Sequence, residues 1–353
     1  MEKFTVTAAS GSTDVLIGER TANLKNYIRG RNTIIITDNN VASHYGKFFE
    51  QYKTIVIKTG EENKNLQSVE FIYKKLFEYG ADRRSLIIGI GGGVVTDITG
   101  FASATYMRGL SYGFVSTTLL AQVDASIGGK NGVNFMGAKN IIGTFTQPEF
   151  VIIDTDTLNT IPAEEITSGM GEILKHCIIA GGKIFDTASD SVSLDNSGRI
   201  KITGSGGEDL LPFFISESIK IKAEVVANDE RESGQRRILN LGHTIAHAIE
   251  IGEKLPHGIA VIKGIKFASD FSTAQGFLDK NENLKITALL KKTGVDLEIN
   301  TERKQIINLL QHDKKKEKSD IYFVFIRKPG DVFSMKIHLE KLTGALDDLR
   351  IGR

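Results

Sequence analysis

Short β-rich runs alternate with helical or turn segments between residues 33 and 154, and this alternation constrains the fold more than any other feature of the chain. The runs are rich in Ile, Val and Thr, and they span residues 33–37, 53–58, 85–90, 112–116 and 150–154. Apolar residues recur at helical spacing over 67–79, and Gly80 marks the end of that predicted helix. Strands joined by helices pair in parallel, so residues 1–161 are predicted to form an α/β domain with a mostly parallel, Rossmann-like sheet.

The pattern changes after residue 154. Helical periodicity dominates over residues 161–179, 210–226, 239–251 and 259–277, with no obvious strands between them. We therefore predict a second, mainly α-helical domain over residues 162–353. Apolar residues that alternate around Pro329 and Gly330 predict a small C-terminal β-hairpin within it. Residues 181–208 hold six glycines and few apolar anchors, so they are predicted to be a long, mobile surface segment.

The charge balance and the single cysteine narrow the classes of function. The 353-residue chain has 44 basic and 43 acidic residues, so bulk charge favours neither nucleic acid nor an anionic membrane as a partner. A small anionic substrate held by a few local cations is compatible with this near-zero net charge. Cys177, the only cysteine, excludes an intrachain disulfide and a cysteine-rich zinc site. The chain also lacks a recognisable secretory signal and an apolar run of about 18 residues, so we expect a cytoplasmic protein.

A glycine run follows the third predicted strand and opens a helix. The segment GGGVVTD at residues 91–97 lets the backbone approach a pyrophosphate, which a helix N-terminus also favours. A tight strand-to-helix turn explains the glycines equally well, and the run is not GxGxxG. Glu61, Lys64, Thr117 and Thr118 follow neighbouring strands, whose carboxyl ends are where ligands of open α/β sheets bind. The combination favours a nucleotide site.

A second polar cluster lies in residues 120–144. Asp124, Lys130, Lys139 and Asn140 stand there among five glycines and several apolar residues. Lysines in such surroundings favour a bound phosphate or carboxylate. The alternative is a glycine-rich surface loop with solvated lysines.

Three of the seven histidines lie close together in the sequence. His243 and His247 are four residues apart, which places them on the same face of a helix. Gly252 and Pro256 predict a break, so His257 is expected to open the next helix. These histidines could surround one ion or ligand, or they could be a surface pair and an unrelated single residue.

An acidic residue upstream could complete such a site. Glu172 lies one turn from Lys175 on an otherwise apolar predicted helix. It either pairs with that lysine or serves as a hard oxygen ligand of a metal together with histidines. His176 and Cys177 on the same helix are interpreted as packing residues.

Four polar residues lead into the histidines, and a charged run comes late in the chain. Lys222, Glu232, Arg236 and Asn240 are each, taken singly, ordinary helix-surface residues. Residues 312–319, HDKKKEKS, are typical of a solvated loop, although one lysine from it could cover an anionic ligand.

Several motifs together resemble the 3-dehydroquinate synthase family. In chain order they are GGGVVTDITGFASATYMRG, STTLLAQVDASIGGKNGVNFMGAKNIIGTFTQP, IDTDTLNTIPAEEITSGMGEILKH, KAEVVANDERESGQRRILNLGHTIAHAIE and LPHGIAV. The resemblance runs in register from about residue 60 to residue 257, and HDKKKEKS adds a C-terminal match. Many spaced motifs in one order are more specific than any single motif.

The resemblance implies NAD in the N-terminal domain and a divalent metal, zinc or cobalt, in the C-terminal domain. The implied metal ligands are Glu172, His243 and His257. The resemblance assigns His247 the role of a proton-transfer residue rather than a ligand. The implied NAD contacts are Glu61, Lys64, Gly93, Val94, Asp97, Thr117, Thr118, Lys130, Lys139, Thr157, Leu158 and Thr160. The implied substrate contacts are Asp124, Lys130, Asn140, Lys175, Lys222, Arg236 and Asn240, with Lys314 or Lys315.

The implied reaction converts 3-deoxy-D-arabino-heptulosonate 7-phosphate to 3-dehydroquinate with loss of phosphate, as a step of the shikimate pathway. Arg108 matches an arginine that reaches the partner subunit's phosphate pocket in the family, so a homodimer is implied. Two residues depart from the family pattern: Ile259 stands where glutamate is common, and Asn131 stands where threonine is usual. If residue 259 oriented His257, the metal would bind more weakly here.

Two other activities are compatible with parts of the pattern. The first is another sugar phosphate cyclase, whose substrate lacks a carboxylate. Lys222 and Arg236 argue against it, because such a substrate would leave these cations unpaired. The second is a metal- and NAD-dependent polyol dehydrogenase, which would not need the phosphate-binding set of Lys130, Asn140 and Arg108.

Overall fold

The protein divides into two compact units. The computed structural model describes residues 1–311 and 320–351. Contacts between residues group Met1–Pro162 with Lys222–Arg231, which we call unit 1, and Ala163–Ile221 with Glu232–Arg353, which we call unit 2. The helix Leu211–Asn228 therefore contributes its first part to unit 2 and its last part to unit 1.

Unit 1 consists of strands with helices between them. Its strands are β1 (Glu2–Ala8), β2 (Gly11–Ile17), β3 (Thr33–Asp38), β4 (Lys53–Ile57), β5 (Leu86–Gly91), β6 (Ser111–Ser116), β7 (Lys130–Phe135), β8 (Ala138–Phe145) and β9 (Phe150–Ile153). Its helices are α1 (Lys25–Ile28), α2 (Asn39–Tyr45), α3 (Leu66–Glu78) and α4 (Gly93–Thr105). Short helical turns cover Thr21–Asn23, Gly46–Phe48, Glu61–Asn63, Tyr106–Arg108, Ala121–Ala125 and Thr155–Thr160.

Seven of the described strands form one sheet in the order β1-β2-β9-β6-β5-β3-β4. β1 pairs antiparallel with β2, and every other pair of neighbours in this sheet is parallel. This arrangement confirms the predicted α/β fold with a mostly parallel sheet. The strand order reverses beside β3, because β4 lies on one side of it and β5 on the other. Ligands of open α/β sheets bind beyond the carboxyl ends of the strands at such a point.

The interior strands of this sheet are apolar on both faces. β5 and β9 are buried along their whole length, and so are the first five residues of β3. Such continuous apolar runs are expected where helices cover both faces of a parallel sheet. The crossover helix predicted over 67–79 is α3, which buries Val69, Ile72 and Leu76 on one side. Asn65 caps α3, because its side chain accepts a hydrogen bond from the Ser68 N–H at 2.9 Å.

Residues 120–144 form a helical turn and a β-hairpin rather than an irregular loop, although Lys130 on the hairpin is exposed, as the loop alternative expected. β7 and β8 pair antiparallel over most of their length. A Cβ atom on Gly132 would lie 2.7 Å from the Ile142 carbonyl oxygen, and one on Gly143 would lie 2.4 Å from the Asn131 carbonyl oxygen. These two glycines therefore permit the close approach of paired strands, a role that composition does not distinguish from that of loop glycines.

Unit 2 is mainly helical. Its helices are α5 (Ala163–Ala180), α6 (Gly182–Ser191), α7 (Leu211–Asn228, shared with unit 1), α8 (His243–Glu253), α9 (His257–Ala274), α10 (Lys280–Lys291), α11 (Arg303–Gln311) and α12 (Leu339–Ile351). Its strands are β10 (Val192–Leu194), β11 (Ile200–Ile202), β12 (Asp320–Lys328) and β13 (Asp331–His338), and a short helical turn covers Gln235–Asn240. None of the helices in the described ranges is long and apolar enough to cross a membrane.

The segment 181–208 is structured, so the prediction of a long, mobile surface segment is wrong. It contains α6 followed by the antiparallel pair of β10 and β11. Phe185 and Ala188 are buried on one side of α6, and Val192 and Ile202 are buried partners across the small ladder. The few apolar residues of this segment lie at helical and then alternating spacing, which is sufficient for short elements that pack on a larger core.

Strands β12 and β13 form an antiparallel hairpin near the end of the chain. Phe323 and Phe325 of β12 each lie with their ring centroids 5.3 Å from that of Phe271 on α9. The hairpin therefore covers α9, the helix that begins with a predicted metal ligand.

The break between α8 and α9 falls later than predicted. Gly252 lies inside α8, and the helix ends before Lys254, which has a left-handed φ of 53°. A Cβ atom at Gly252 would lie 2.4 Å from Thr301, so this glycine serves a close contact rather than a helix end. After Pro256, His257 begins α9, which confirms the prediction that it opens the next helix.

Candidate active site

Three side chains from three helices of unit 2 converge on one point. Glu172 lies in the middle of α5, while His243 and His257 are the first residues of α8 and α9. Oε1 of Glu172 lies 3.5 Å from Nε2 of His243 and 3.5 Å from Nε2 of His257. The ligand atoms of the three side chains all lie within 4.8 Å of one another. One carboxylate and two imidazoles form a donor set typical of catalytic zinc.

A close contact between α5 and α9 sets the distance between Glu172 and His257. A Cβ atom on Gly171 would lie 2.2 Å from the Gly258 carbonyl oxygen, and one on Gly258 would lie 1.7 Å from the Ser168 carbonyl oxygen. The Gly258 N–H also donates to Ser168 Oγ at 3.1 Å. Because Gly171 precedes Glu172 and Gly258 follows His257, this backbone contact brings the two side chains together.

The start of α8 meets α9 through a second pair of glycines. A Cβ atom on Gly264 would lie 2.2 Å from the carbonyl oxygen of Gly242, which has a left-handed φ of 80°. His243 follows directly, and its Nδ1 lies 3.2 Å from the Leu241 carbonyl oxygen. A carbonyl can only accept, so Nδ1 carries a proton, and in the neutral ring Nε2 is then the nitrogen that can bind a metal.

The electrostatics of the cluster keep Glu172 ionised. Its carboxylate is fully buried, and the Lys175 ammonium lies against Oε2. Burial raises the pKa of Glu172, but Lys175 and His257 lower it by more than burial raises it. The net pKa therefore lies well below its usual value. Burial lowers the pKa of His257, but the carboxylates of Glu172 and Glu250 raise it to about 9. Glu172 thus pairs with Lys175, which is the first alternative from the sequence, and it also faces the two histidines, as the second alternative requires.

The arrangement fits a divalent metal. A tetrahedral zinc with ligand bonds of about 2.1 Å separates its ligand atoms by about 3.4 Å. That value is close to the 3.5 Å between Glu172 Oε1 and each Nε2. Oε1 is buried and has no hydrogen-bond partner among the described residues. A buried acceptor of this kind is expected to have a partner, and a metal bound by these three side chains would supply it.

His247 lies beside the three convergent side chains. It is one turn along α8 from His243, with ring centroids 5.6 Å apart, and its ring lies 6.2 Å from that of His257. The structure therefore brings all three predicted histidines together. Glu172 and the other two histidines form a group of possible metal-ligand atoms, and this group does not include His247.

Two further predicted residues of unit 2 lie on the helical turn before α8. Arg236 is only 2% exposed, so it is not an ordinary surface residue as its sequence context suggested. Asn240 Nδ2 donates a hydrogen bond to Glu232, whose φ of 58° is left-handed. A glutamate in this conformation is uncommon, and such strain concentrates at functional sites.

In unit 1 the glycine run forms a tight turn from strand to helix. β5 ends at Gly91, Gly92 caps the helix, and α4 begins at Gly93. A Cβ atom on Gly91 would lie 2.5 Å from the Val95 side chain. Gly92, Gly93 and Val94 are half-buried, and the first N–H groups of α4 have no partner within the helix. The tight turn needs these glycines. It also places the N-terminus of α4 at the carboxyl end of β5, which pairs with β3.

Polar side chains line the neighbouring strand ends. Lys64 Nζ contacts the Asp97 carboxylate, and both side chains are largely buried. Burial raises the pKa of Asp97 above its usual value, although Lys64 partly lowers it. Glu61 Oε1 accepts from Asn134 Nδ2 at 2.8 Å, and Asn134 Oδ1 accepts from the Asn140 N–H at 2.9 Å. These contacts link the segment after β4 to α4 and to the β7–β8 hairpin.

The ends of β6 and β9 are joined by a residue that sequence reasoning missed. Gln122 is fully buried, and its Nε2 donates to the carbonyl oxygens of Ser116 at 3.1 Å and Asp154 at 3.0 Å. A glutamine within an apolar run is the signal that could have revealed it. The predicted NAD contacts at these two strand ends are Thr117, Thr118, Thr157, Leu158 and Thr160, of which Thr160 is exposed.

Lys222 and Asp124 form a partly buried ion pair in unit 1. Lys222 Nζ lies 2.6 Å from Asp124 Oδ1 and 2.7 Å from the Asp124 carbonyl oxygen. Lys222 is only 6% exposed, so its interpretation as an ordinary surface residue is wrong. Its burial follows from the position of this part of α7 in unit 1, which the sequence pattern did not indicate.

The remaining predicted phosphate-binding residues of unit 1 and Lys139 lie on the hairpin and in the turn after α4. Lys130 and Asn140 are exposed, and Lys139 is half-buried. Arg108 is also exposed, with a left-handed φ of 68° next to Met107 at 50°. Two consecutive left-handed residues other than glycine are unusual and again indicate a functional constraint.

Asn131, a departure from the family pattern, is fully accommodated. It is buried, and its Nδ2 donates to the Gly129 carbonyl oxygen at 3.0 Å and to Tyr112 Oη at 3.2 Å. A Cβ atom on Gly100 would lie 1.9 Å from Asn131 Oδ1. Gly100 therefore makes the room that the asparagine needs.

Some predicted residues lie elsewhere. His176 and Cys177 are buried packing residues, as predicted, and His176 Nδ1 contacts Ser218 Oγ. Lys314 and Lys315 lie outside the described residues. A further residue that the sequence interpretation missed is Glu250, which contacts His257 Nδ1 and stands seven residues after His243 on α8. Helical spacing is the signal that could have found it.

Comparison with protein families covers both units. Residues 54–168 match the family model described as 3-dehydroquinate synthase N-terminal, and residues 169–316 match the one described as 3-dehydroquinate synthase C-terminal. The two matches are contiguous and together include most of the candidate site residues.

Curated relatives are similar over most of their length. A 3-dehydroquinate synthase of Leptospira interrogans is 39% identical over 322 residues, which cover 88% of this chain and 87% of the relative. One of Alkaliphilus metalliredigens is 37% identical over 354 residues, which cover 97% of each chain.

Solved structures share the fold at lower sequence identity. A 2-deoxy-scyllo-inosose synthase complexed with carbaglucose-6-phosphate, NAD+ and Co2+ has a TM-score of 0.84 at 23% identity, covering 98% of this chain and 99% of the other. A 2-epi-5-epi-valiolone synthase of Streptomyces hygroscopicus with NAD+ and Zn2+ bound has a TM-score of 0.83 at 23% identity, covering 98% and 99%. A protein of Sinorhizobium meliloti described as a probable glycerol dehydrogenase has a TM-score of 0.60 at 14% identity, covering 97% of this chain and 98% of the other. At these identities the likeness concerns the fold.

Proposed function

Because the chain belongs to the 3-dehydroquinate synthase family, we propose that it converts 3-deoxy-D-arabino-heptulosonate 7-phosphate to 3-dehydroquinate and phosphate. The chain is an enzyme that forms a carbocycle and eliminates phosphate. The structural observation that supports this activity is the convergence of Glu172, His243 and His257, which the family resemblance names as metal ligands. We place the reaction in the shikimate pathway of aromatic amino acid biosynthesis.

We assign NAD to unit 1 as an N-terminal cofactor-binding domain, residues 1–161. The glycine turn before α4 supports this assignment, because the helix N-terminus favours the charge of a pyrophosphate. Structural neighbours with NAD+ bound share the fold. The proposed contacts are Glu61, Lys64, Gly93, Val94, Asp97, Thr117, Thr118, Lys130, Lys139, Thr157, Leu158 and Thr160.

We assign a divalent metal, zinc or cobalt, to unit 2, within a metal- and substrate-binding domain of residues 162–353. Glu172, His243 and His257 would hold it, and the 3.5 Å spacing of their atoms supports this donor set. Neighbours with the same fold carry Co2+ or Zn2+. When bound, the metal would polarise substrate oxygens, and NAD would accept and return a hydride.

The chain's own residues supply binding and proton transfer. His247 lies beside the ligand cluster, and an imidazole transfers protons between its ring nitrogen and a substrate hydroxyl near neutral pH. Lys130, Asn140 and Arg108 form the proposed phosphate-binding set. Fixed cations at both ends of a dianionic substrate hold it in one pose and so favour an intramolecular reaction.

We propose that Lys222 and Arg236 contribute fixed cations to the binding of a substrate with a carboxylate. They are 6% and 2% exposed, and guanidinium and ammonium groups bind carboxylates through charge-assisted hydrogen bonds. Lys175, Asp124 and Asn240 complete the proposed substrate contacts in the described residues. Lys314 or Lys315 is proposed to reach the substrate from the 312–319 segment.

We further propose that the enzyme is a cytoplasmic homodimer. Arg108, exposed and held in a left-handed conformation, would reach the partner subunit's phosphate site. A cation that acts in another subunit needs to protrude from the surface of its own subunit. The strained turn before Gly109 would hold the Arg108 side chain in such a protruding position.

One assay tests the proposal. The purified protein is supplied with the heptulosonate phosphate, NAD and Zn2+, and phosphate release and NADH are followed together. Equal amounts of phosphate and 3-dehydroquinate without net NADH are expected. Protein treated with a chelator should be inactive and regain activity with Zn2+ or Co2+.

The same assay separates the alternatives. Net NADH without phosphate would indicate a polyol dehydrogenase. Phosphate release from a sugar phosphate that lacks a carboxylate, but not from the heptulosonate phosphate, would indicate another cyclase. No phosphate release from the heptulosonate phosphate with metal present contradicts the proposal.

A further inference from the structure

The proposed metal ligand His257 has a carboxylate partner on its second ring nitrogen. Its Nδ1 lies 3.2 Å from Oε2 of Glu250, while its Nε2 faces Glu172 at 3.5 Å. The Glu250 side chain is 10% exposed, so the contact is largely shielded from water. A metal-bound histidine commonly donates its other N–H to a carboxylate, which fixes the orientation of the ring.

The position of Glu250 follows from the geometry of α8. His243, His247 and Glu250 occupy positions i, i+4 and i+7 of this helix, which lie on one face. The left-handed Lys254 ends the helix, and His257 begins α9. The contact therefore joins the last turn of α8 to the first turn of α9.

Residue 259 does not take this role. Ile259 stands where glutamate is common in the family, and its side chain has no atom that accepts a hydrogen bond. The sequence therefore predicted weaker metal binding on the condition that residue 259 is the outer partner that orients His257. Glu250 removes the premise of that prediction, because it already accepts from Nδ1 of His257.

We propose that Glu250 is a positioning residue of the metal site, which holds the proton of His257 on Nδ1 and so presents Nε2 to the metal. The proposal rests on the metal site assigned above and adds a residue outside its ligand set. The equivalent partner of His243 is the main-chain carbonyl of Leu241, which substitution of a side chain does not remove. Glu250 is thus the outer partner that mutation can test.

Removal of the carboxylate should weaken metal binding without unfolding the protein. In Glu250→Ala, Nδ1 loses its acceptor, so the ring is free to turn and to carry its proton on Nε2 instead. Changes of outer-shell partners typically cost about 10–100-fold in metal affinity, and we expect a loss in this range. Glu250→Gln keeps an oxygen acceptor for Nδ1 and should lose less than about 5-fold.

The test measures Zn2+ affinity of the full-length, metal-stripped protein by competition with a chromogenic chelator. Wild type is compared with Glu250→Ala, Glu250→Gln and Ile259→Glu, and thermal unfolding in chelator confirms that each variant is folded. Ile259→Glu should bind Zn2+ as wild type does, because Nδ1 of His257 already has its acceptor. The absorption spectrum of bound Co2+ should change in Glu250→Ala and remain near wild type in Glu250→Gln.

Two results would overturn the proposal. The first is a Glu250→Ala variant that is folded and binds Zn2+ as tightly as wild type. The second is an equal loss in the Ala and Gln variants, which would assign the effect to charge rather than to the hydrogen bond. His243→Ala serves as the reference. If His243→Ala retains full Zn2+ affinity, the assignment of the metal site itself is wrong. If His243→Ala loses Zn2+ affinity and Glu250→Ala does not, only the role of Glu250 is contradicted.

Discussion

Glu172 illustrates how a single residue acquires its role from its surroundings. In the sequence it is a carboxylate one turn from Lys175, and that spacing is equally typical of a plain ion pair. In the structure it contacts Lys175 through one oxygen and faces two imidazoles with the other. Burial without these neighbours would raise its pKa, so the cluster keeps the carboxylate ionised and ready to bind a cation.

The histidines are predicted to separate metal binding from proton transfer. His243→Ala should weaken Zn2+ binding more than about 100-fold, because it removes a proposed ligand rather than an outer-shell partner. His247→Ala should keep bound metal and lose about 10²- to 10⁴-fold in kcat, the usual contribution of a general acid or base. Metal content by atomic emission and steady-state kinetics measure the two effects. Equal metal loss in both variants would show that the ligands are assigned wrongly.

Cys177 is predicted to be unreactive in the folded enzyme. The thiol is buried on α5, and burial raises its pKa well above its usual value. The reactive thiolate is therefore absent at neutral and mildly alkaline pH. A chromogenic disulfide reagent should label less than about 0.1 equivalent between pH 7 and 9, and about one equivalent in denaturant. Labelling of the folded protein that rises steeply across this pH range would contradict the burial.

At the scale of elements, glycines in helices determine where the ligands meet. Gly171 and Gly258 let α5 and α9 touch through their backbones, and Gly242 and Gly264 do the same for α8 and α9. Glycine weakens an isolated helix by roughly 0.5–1 kcal/mol relative to alanine. The loss is offset by helix contacts that no side chain would permit, directly beside the three proposed ligands.

Gly258→Ala is predicted to destabilise unit 2 and to weaken Zn2+ binding. Its Cβ atom would lie 1.7 Å from a main-chain oxygen of α5, so the helices must move apart. We expect the free energy of unfolding of the metal-stripped protein to fall by about 3 kcal/mol, the upper range for overpacking. Urea unfolding measures the change, with Gly344→Ala on α12 as the control.

The control has open space around the new methyl group and no left-handed backbone. It should change stability by less than about 1 kcal/mol, and in the stabilising direction, because alanine favours helix. An equal effect of the two substitutions would show that the α5–α9 contact does not limit the site.

At the scale of the whole molecule, the chain order does not match the spatial grouping. Unit 1 takes Lys222–Arg231 from the middle of the helical part of the sequence. Lys222 pairs there with Asp124, and Glu230 accepts from Gln147 Nε2 at 2.8 Å and from the Ser10 N–H at 3.0 Å. A single boundary near residue 162 therefore describes the predicted domains but not the compact units.

The proposed homodimer predicts complementation between two inactive variants. If Arg108 acts in the partner's site, a heterodimer of Arg108→Ala and His247→Ala contains one site with both residues intact. Random mixing makes half of the dimers mixed, so about one quarter of wild-type activity should return. Phosphate release is measured after the variants are unfolded, mixed and refolded together, and each variant refolded alone is the control. No recovery in the mixture would place Arg108 within its own subunit's site or outside any site.

The alternation of apolar strands and helices determined the α/β sheet, because burial on both faces requires continuous apolar runs at regular spacing. The resemblance in motif order likewise predicted Glu172 and the three histidines as site residues, and the structure brings these side chains together. Only tertiary structure decided that Lys222 and Arg236 are buried, that 181–208 is ordered, and that Glu250 faces His257. These features depend on contacts between residues distant in sequence or beyond a helix end, which local periodicity does not record.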